Sequence, residues 1–183
     1  MKLFLSQLES PLGTMLLVTD GQHAVRALDF ADHGARMRRG LREHYGEVNL
    51  AEILAPTEIS EAVQRYFAGD LQALNALRTQ TSGSELQRRV WAALRGIPAG
   101  TTTTYGKLAK GLGFDDPRAA IDVGAANGSN PIAIIVPCHR VIASNGDLKG
   151  YAWGLYRKRW LLEHERAIAT KVDEPPTAML PGF

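Results

Sequence analysis

The chain has 183 residues, enough for one compact domain or two small ones. Hydrophobic residues make up 45% and charged residues 22% of it, which excludes a largely disordered protein. No apolar run approaches the roughly 18 residues of a membrane span, and residues 1–7 lack the pattern of a secretory signal. One cysteine and five histidines allow neither an internal disulfide nor a cysteine-rich zinc cluster. We therefore expect a protein of the reducing cytosol, without a membrane attachment, metal or cofactor.

Charge is distributed unevenly along the chain. Basic residues number eight against ten acidic ones over residues 1–83, and twelve against seven over residues 84–166. The second segment thus carries a net charge of +5, beside a first segment of −2. An excess of basic residues favours a polyanionic partner such as nucleic acid, although a solvated basic surface produces the same pattern.

Residues 1–80 predict a small α/β domain. Three short stretches, each alternating or apolar and separated by tight turns, indicate an antiparallel three-stranded sheet: residues 2–8, 15–18 and 25–30. Two helical stretches follow: a basic one over 35–45, which ends before Gly46, and one over 59–67 whose apolar residues lie at helical spacing. The polar stretch 79–83 predicts a linker to the next domain.

Residues 84–166 predict a mostly helical second domain, followed by a tail at 167–183. Ser84 and Gln87 have the spacing of a capping box at the start of one helix. A short helix is expected over 105–112, and an Asp-Pro pair predicts the start of a third helix over 116–127. Short helices joined by tight turns resemble a helix–turn–helix, a motif that binds DNA.

The third predicted helix is rich in small residues. They allow either close approach to the backbone of a partner or close packing within the domain, and the pattern alone does not decide between the two. The small residues are Ala119, Ala120, Gly124, Ala125 and Ala126.

The only cysteine follows this helix, after the apolar run 131–136. A cysteine is nucleophilic as the thiolate, and the adjacent His139 and Arg140 supply a base and a positive charge for Cys138. A carboxylate such as Glu165 on the last predicted helix would complete a Cys–His–acid arrangement. We then expect the pKa of the thiol to be depressed. The same residues are also compatible with an inert, buried thiol.

The sequence around Cys138 resembles one known family. The motif Pro137-Cys-His-Arg-Val141 is preceded by Gly-Ala-Ala-Asn-Gly-Ser-Asn-Pro at 124–131 and followed by Trp-Leu-Leu-Glu-His-Glu at 160–165. This combination resembles the methylated-DNA–protein-cysteine S-methyltransferases, or O6-alkylguanine-DNA alkyltransferases, densely over 84–166 and more loosely upstream. The resemblance implies a monomer that flips a damaged base out of double-stranded DNA. The alkyl group passes once, from O6 of guanine or O4 of thymine, to the protein's own cysteine.

The resemblance also implies roles for individual residues. Cys138 would accept the alkyl group, His139 would act as the base through a water, and Glu165 would orient His139. Asn130 matches an asparagine that braces the turn before the active-site strand, whereas Arg140 is expected to stabilise the fold. The remaining matches are DNA contacts at Tyr105, Ala125, Ser144 and Lys158, and pocket contacts at Val141 and Tyr151.

One position departs from the family pattern. Ile121 stands where the recognition helix usually has an arginine that enters the duplex, and Asp122 follows where alanine is usual. Ile121 can fill the vacated stack as an apolar wedge, as apolar side chains do in DNA-bending proteins. Alternatively, Ile121 faces the interior and Arg118, one turn earlier, inserts instead, unless Arg118 pairs with Asp122.

Two other functions are compatible with the sequence. A non-catalytic binder of alkylated bases, which recruits other repair factors, usually lacks the cysteine, but Ile121 keeps this alternative open. A cysteine hydrolase would instead turn over an ester or amide substrate. A methyl group found on Cys138 after reaction with methylated DNA would distinguish the repair protein from both.

Overall fold

A computed structural model describes residues 1–170, and its first half is built on a four-stranded sheet. Strands β1 (Lys2–Leu8), β2 (Met15–Thr19) and β3 (Val25–Phe30) form the predicted antiparallel meander. A fourth strand, β4 (Asn49–Glu52), pairs in parallel with β1, so the strand order is β3-β2-β1-β4. The predicted number of three strands is therefore wrong. The β4 sequence has no buried residue and no apolar alternation to reveal it.

Six helices and two very short strands complete the described fold and confirm the mixed α/β class. The short strands pair in parallel with each other. Within residues 1–170, no helix combines the length and hydropathy needed to cross a bilayer. The helices are α1 (Gly34–Tyr45), α2 (Thr57–Phe67), α3 (Glu85–Arg95), α4 (Tyr105–Gly111), α5 (Ala119–Gly128) and α6 (Leu155–His164), and the strands are β5 (Thr103–Thr104) and β6 (Val141–Ile142).

Local sequence signals set the starts of α3 and α4. The Ser84 hydroxyl accepts a hydrogen bond from the Gln87 backbone N–H at 3.1 Å, and Gln87 Oε1 accepts one from the Ser84 N–H at 2.9 Å. The predicted capping box is thus confirmed. The Thr104 hydroxyl likewise accepts from the Lys107 N–H at 3.2 Å. Each cap satisfies backbone donors that the first helical turn leaves unpaired.

Helices α4 and α5 form the helix–turn–helix. Asp116 Oδ1 accepts from the Arg118 N–H at 2.9 Å and holds a turn, so α5 begins at 119 rather than at Pro117, the predicted first helical residue. The small residues of α5 allow close packing: an added Cβ on Gly124 would lie 3.6 Å from the Tyr105 ring. Val123 and Ala126 are buried side chains on the inner face of this helix. One face of α5 therefore packs against the body of the protein.

The free edge of β3 is covered by later parts of the chain. Val25 pairs with Thr79 at the start of the predicted linker, and Leu28 pairs with Ile132. The Leu28 N–H donates to the Pro131 carbonyl at 3.0 Å, and the Leu28 carbonyl accepts from residue 133 at 2.8 Å. The segment that leads to Cys138 is therefore hydrogen-bonded to the first half's sheet.

A single cluster of buried side chains includes residues from both predicted domains. Leu28 and Tyr66 from the first half share it with Trp91 and Leu161 from the second. The division into domains at 1–80 and 84–166 stays a prediction. Residues 171–183 of the predicted tail lie outside the described residues.

Candidate active site and nucleic-acid interface

Asn130 braces the loop that precedes the cysteine. Its side chain is fully buried, and Nδ2 donates to the carbonyls of Ile132 at 3.2 Å and Val136 at 2.8 Å. Its Oδ1 accepts from the Ile132 N–H at 2.9 Å. Within this loop Ile134 adopts a left-handed φ of 66°, which is costly for a β-branched residue and persists only where surrounding contacts enforce it. The braced loop delivers Cys138 at the start of a 3₁₀ turn.

A cysteine, a histidine and a glutamate meet in the interior behind this loop. Cys138 is 4% exposed, and His139 is fully buried with Nε2 2.8 Å from Glu165 Oε1. Among the described residues, His139 Nδ1 has no hydrogen-bond partner, so it can accept a proton. Burial lowers the pKa of His139, although the Glu165 carboxylate opposes this shift. The imidazole is therefore neutral near pH 7, the form required of a base.

The pKa of the Cys138 thiol is raised, not depressed. Burial is the largest cause, and it outweighs the opposing hydrogen bond with Asn130 and the charges of Lys158 and Arg36. The expectation of a depressed pKa is therefore wrong. The sequence shows which charges lie near the cysteine but not that the sulfur is enclosed, and burial disfavours the thiolate. The resting thiol is protonated and depends on a base at the moment of reaction.

Glu165 is the centre of a buried hydrogen-bond cluster that reaches both halves of the chain. Besides His139, it accepts from Arg140 Nε at 2.9 Å and NH2 at 2.8 Å, and from the Tyr66 hydroxyl at 2.7 Å. Burial alone would raise the pKa of Glu165. The hydrogen bonds of His139 and Arg140 oppose this, as do the positive charges of Arg140 and of His139 when it is protonated, and together they hold the pKa of Glu165 well below its usual range. Arg140 also donates to the Ile97 carbonyl, in agreement with its expected structural role. Tyr66, which α2 contributes, was predicted only as a helical residue and not as part of the site.

Two tyrosines stand close to the thiol. Burial raises the pKa of Tyr105 and of Tyr151, and the charge of a Cys138 thiolate adds to both shifts. The Tyr151 hydroxyl is enclosed and has no hydrogen-bond partner within residues 1–170, while its ring lies 5.0 Å from that of Trp153. Val141 is fully buried behind the cysteine. Of the predicted pocket residues, Tyr151 thus lies close enough to interact with the thiol, and Val141 is buried three residues after it.

Lys158 does not lie where a DNA contact requires it. The side chain is fully buried, and Nζ donates to the carbonyls of Val141 at 2.7 Å, Leu148 at 2.5 Å and Gly150 at 3.2 Å. Burial lowers the pKa of Lys158 to about 8. The predicted DNA contact disagrees with this interior position. Through these three hydrogen bonds, Lys158 instead holds the ends of the surface segment 141–150 together, and Ser144 is exposed within that segment.

Helix α5 presents a second, exposed face. Ile121 is 72% exposed, and Ala125 is exposed one turn later on the same face. The alternative in which Ile121 faces the interior is therefore wrong. The Arg118 side chain is 86% exposed and pairs with Asp116 at 3.3 Å rather than with Asp122. A helix–turn–helix with an accessible face thus lies beside a buried cysteine–histidine–glutamate cluster, an arrangement suited to thiol chemistry on DNA.

Comparisons with known proteins agree with this arrangement. Residues 85–167 match the family described as 6-O-methylguanine DNA methyltransferase, DNA binding domain. A methylated-DNA–protein-cysteine methyltransferase of Salmonella typhimurium is 46% identical over 167 residues, covering 90% of this chain and 96% of the relative. One from Methanosarcina acetivorans is 41% identical over 157 residues, covering 86% and 94%. A crystal structure of Mycobacterium tuberculosis OGT in complex with DNA matches with a TM-score of 0.71 and 34% identity, covering 90% and 93%. The chain belongs to the methylated-DNA–protein-cysteine methyltransferase family.

Proposed function

We propose that this protein repairs alkylated DNA by moving the alkyl group from O6 of guanine, or O4 of thymine, to Sγ of Cys138. The observation that carries the proposal is the buried Cys138–His139–Glu165 arrangement beside the exposed face of α5. Family membership and the DNA-bound relative from M. tuberculosis support DNA as the partner. We further propose that the protein acts as a monomer in the cytosol, where a free thiol stays reduced.

The transfer needs one proton movement and one displacement. The Cys138 S–H proton passes through a water to His139 Nδ1. The His139 Nε2–H donates to Glu165, and the carboxylate of Glu165 stabilises the imidazolium that forms. The thiolate attacks the alkyl carbon, the carbon–oxygen bond breaks, and the electron pair stays on the oxygen of the base. The base anion takes up one proton and His139 releases the one it gained, so the products are guanine or thymine, neutral His139 and the alkylated sulfur. The product is a thioether, which no residue of the cluster can hydrolyse. Each molecule therefore reacts once.

The reacting carbon has to leave the base stack before Cys138 can reach it. Flipping a nucleotide costs a few kcal/mol and is least costly for a weakly paired, damaged base. The exposed Ile121 and Ala125 on α5 face outward for entry into the duplex, and Tyr105 lies between that helix and the thiol. The proposed path of the base runs from the α5 face, past Tyr105, to the space beside Tyr151.

Intact-mass measurement tests the proposed function. The protein is mixed with a duplex that carries one O6-methylguanine, and the mass of the protein is followed with time. We expect a gain of one methyl group, located on Cys138 by peptide mapping, and a stoichiometry that never exceeds one per chain. Retained binding of methylated DNA without a mass gain would indicate a non-catalytic binder. Turnover of an ester or amide would indicate a hydrolase.

Ile121 is expected to support base flipping as an apolar wedge. Because isoleucine cannot hydrogen-bond the orphaned partner base, an arginine at 121 should favour flipping by roughly 1–3 kcal/mol. Ile121→Arg should therefore raise the single-turnover rate on methylated duplex and leave the rate on free O6-methylguanine unchanged. Ile121→Ala should lower the duplex rate and also spare the free base.

Arg118→Ala is the matched control, because Arg118 is exposed on the turn before the same helix. We expect it to weaken duplex binding without a specific loss in the saturating rate. If Arg118→Ala alone shows a duplex-specific loss of rate, Arg118 is the inserted residue and the wedge role of Ile121 is wrong.

Binding to DNA should depend strongly on salt. The basic second segment implies contacts with phosphates, and each phosphate neutralised contributes a log–log slope of about −0.9 in affinity against salt concentration. Fluorescence anisotropy on an unmethylated duplex between low and moderate ionic strength measures this slope. A flat dependence would contradict an electrostatic DNA interface.

A further inference from the structure

A single arginine from the first half of the chain reaches the junction between α5 and the active-site loop. Arg36 lies on α1, and its NH2 donates to the carbonyls of Gly128 and Asn130, both at 3.1 Å. Gly128 is the last residue of α5, where unpaired carbonyls favour a positive charge. Asn130 is the residue that braces the loop before Cys138. One guanidinium thus holds both sides of the junction.

The guanidinium of Arg36 is itself held in place by two neighbours. Its NH1 lies 3.4 Å from Asp29 Oδ2, and the group stacks 4.6 Å from the centre of the Trp153 ring. The Trp153 indole N–H donates to the other oxygen of Asp29. Burial raises the pKa of Asp29 to about 6, against the hydrogen bond of Trp153 and the charge of Arg36. The carboxylate is thus ionised at neutral pH and fixes the planar fork of Arg36.

We propose that Arg36 is a positioning residue for alkyl transfer from duplex DNA. Its hydrogen bonds to both sides of the junction make α5 and the active-site loop move as one rigid unit. This inference rests on the proposed function. The duplex contacts Ile121 near the N-terminal end of α5, whereas the loop that follows the C-terminal end of α5 determines the position of the Cys138 sulfur. Because Arg36 fixes the junction, the flipped base arrives at a constant distance from Cys138. Arg36 does not touch the substrate and acts through Asn130 and the end of α5.

The test compares Arg36→Met with Arg38→Met, because Arg38 is an exposed arginine on the same helix. For each protein, three quantities are measured: affinity for unmethylated duplex, the saturating single-turnover rate on O6-methylguanine duplex, and the rate on free O6-methylguanine. We expect Arg36→Met to lower the saturating duplex rate about tenfold or more, because misplacement of the reacting groups by a fraction of an ångström is costly. The affinity for unmethylated duplex and the rate on free O6-methylguanine should each change by less than about threefold, the size of effect expected when a charge with only weak electrostatic interactions is removed.

The free base also controls for electrostatics. The Arg36 charge lowers the pKa of the Cys138 thiol, an effect that would slow both substrates equally. Arg36→Lys keeps the charge but loses the fork, so it should show a smaller loss that is still specific to duplex. If Arg36→Met lacks a cooperative thermal transition, Arg36→Lys carries the comparison alone.

Three results would overturn the positioning role. They are an equal loss on duplex and free base, an equal loss in Arg38→Met, and no loss in either Arg36 variant. A wild-type protein that fails to methylate itself refutes the proposed function instead, so the two failures are distinguishable.

Discussion

Replacing Cys138 by serine is expected to abolish alkyl transfer while leaving duplex affinity nearly unchanged. A serine hydroxyl is a far weaker nucleophile at neutral pH than a thiol with an adjacent base. The sulfur is buried, so it is not accessible to the phosphates of a duplex, and we expect DNA binding not to depend on it. Incubation of Cys138→Ser with O6-methylguanine duplex, followed by intact-mass analysis, should show no added methyl group.

Folding of this variant has to be checked, because a hydroxyl replaces a thiol in a site that is 4% exposed. An unpaired buried hydroxyl costs about 1–3 kcal/mol, which leaves a folded protein if the parent has ordinary stability. Thermal unfolding and the duplex affinity provide the controls. Methyl transfer above background to any residue of the folded variant would refute Cys138 as the acceptor.

Removing the charge of Glu165 is expected to slow transfer by about 10²-fold or more, the usual effect of losing an acid–base partner. Glu165→Gln suits this test better than Glu165→Ala. Alanine leaves the Arg140 guanidinium, which is 7% exposed, without its carboxylate, and breaking a buried ion pair costs about 3–5 kcal/mol. Glutamine keeps the shape and one acceptor oxygen while it withdraws the negative charge from His139. The saturating single-turnover rate should fall, and duplex affinity should change little.

Tyr66→Phe is the matched control for Glu165→Gln. It removes one donor to Glu165 Oε1 and leaves the His139–Glu165 contact in place. A hydrogen bond to a charged group is worth about 1.5–3 kcal/mol. Because Tyr66→Phe keeps the negative charge of Glu165 beside His139, the rate should fall much less than in Glu165→Gln. An unchanged rate in Glu165→Gln would mean that the carboxylate only supports the fold.

The Glu165 cluster also predicts the direction of the pH dependence of stability. Because the pKa of folded Glu165 lies below that of the unfolded chain, the carboxylate stabilises the fold at neutral pH. This contribution is lost as pH falls below the ordinary glutamate pKa of about 4.3. In a plot of the thermal unfolding midpoint against pH, Glu165→Gln should therefore show a smaller decrease at acid pH than the parent protein.

Features encoded by neighbouring residues were predictable from the sequence. The capping box at Ser84 and Gln87 requires only a three-residue spacing, and it forms as expected. The short helix expected over 105–112 also follows from local pattern, and it forms as α4. Strand β4 was missed because it is a partly exposed edge strand, defined by its pairing with β1 rather than by its own alternation.

Features of the site that depend on burial were not predictable. The charges near Cys138 suggested a low thiol pKa, whereas enclosure of the sulfur decides its direction. Lys158 looked like a surface lysine, but three backbone carbonyls enclose its amine. The roles of Arg36 and Tyr66 depend on partners more than ninety residues away, which no local pattern reveals.

The pairing of β3 with the active-site segment has a consequence for folding. The strands around Leu28 leave the ribosome long before residue 132, and 124 residues separate Asp29 from Trp153. Contacts of such long range close late, because the entropy of a large loop is lost before they form. Burial of Cys138 is therefore a late event, and in the growing chain the thiol is open to oxidants until the two halves have met.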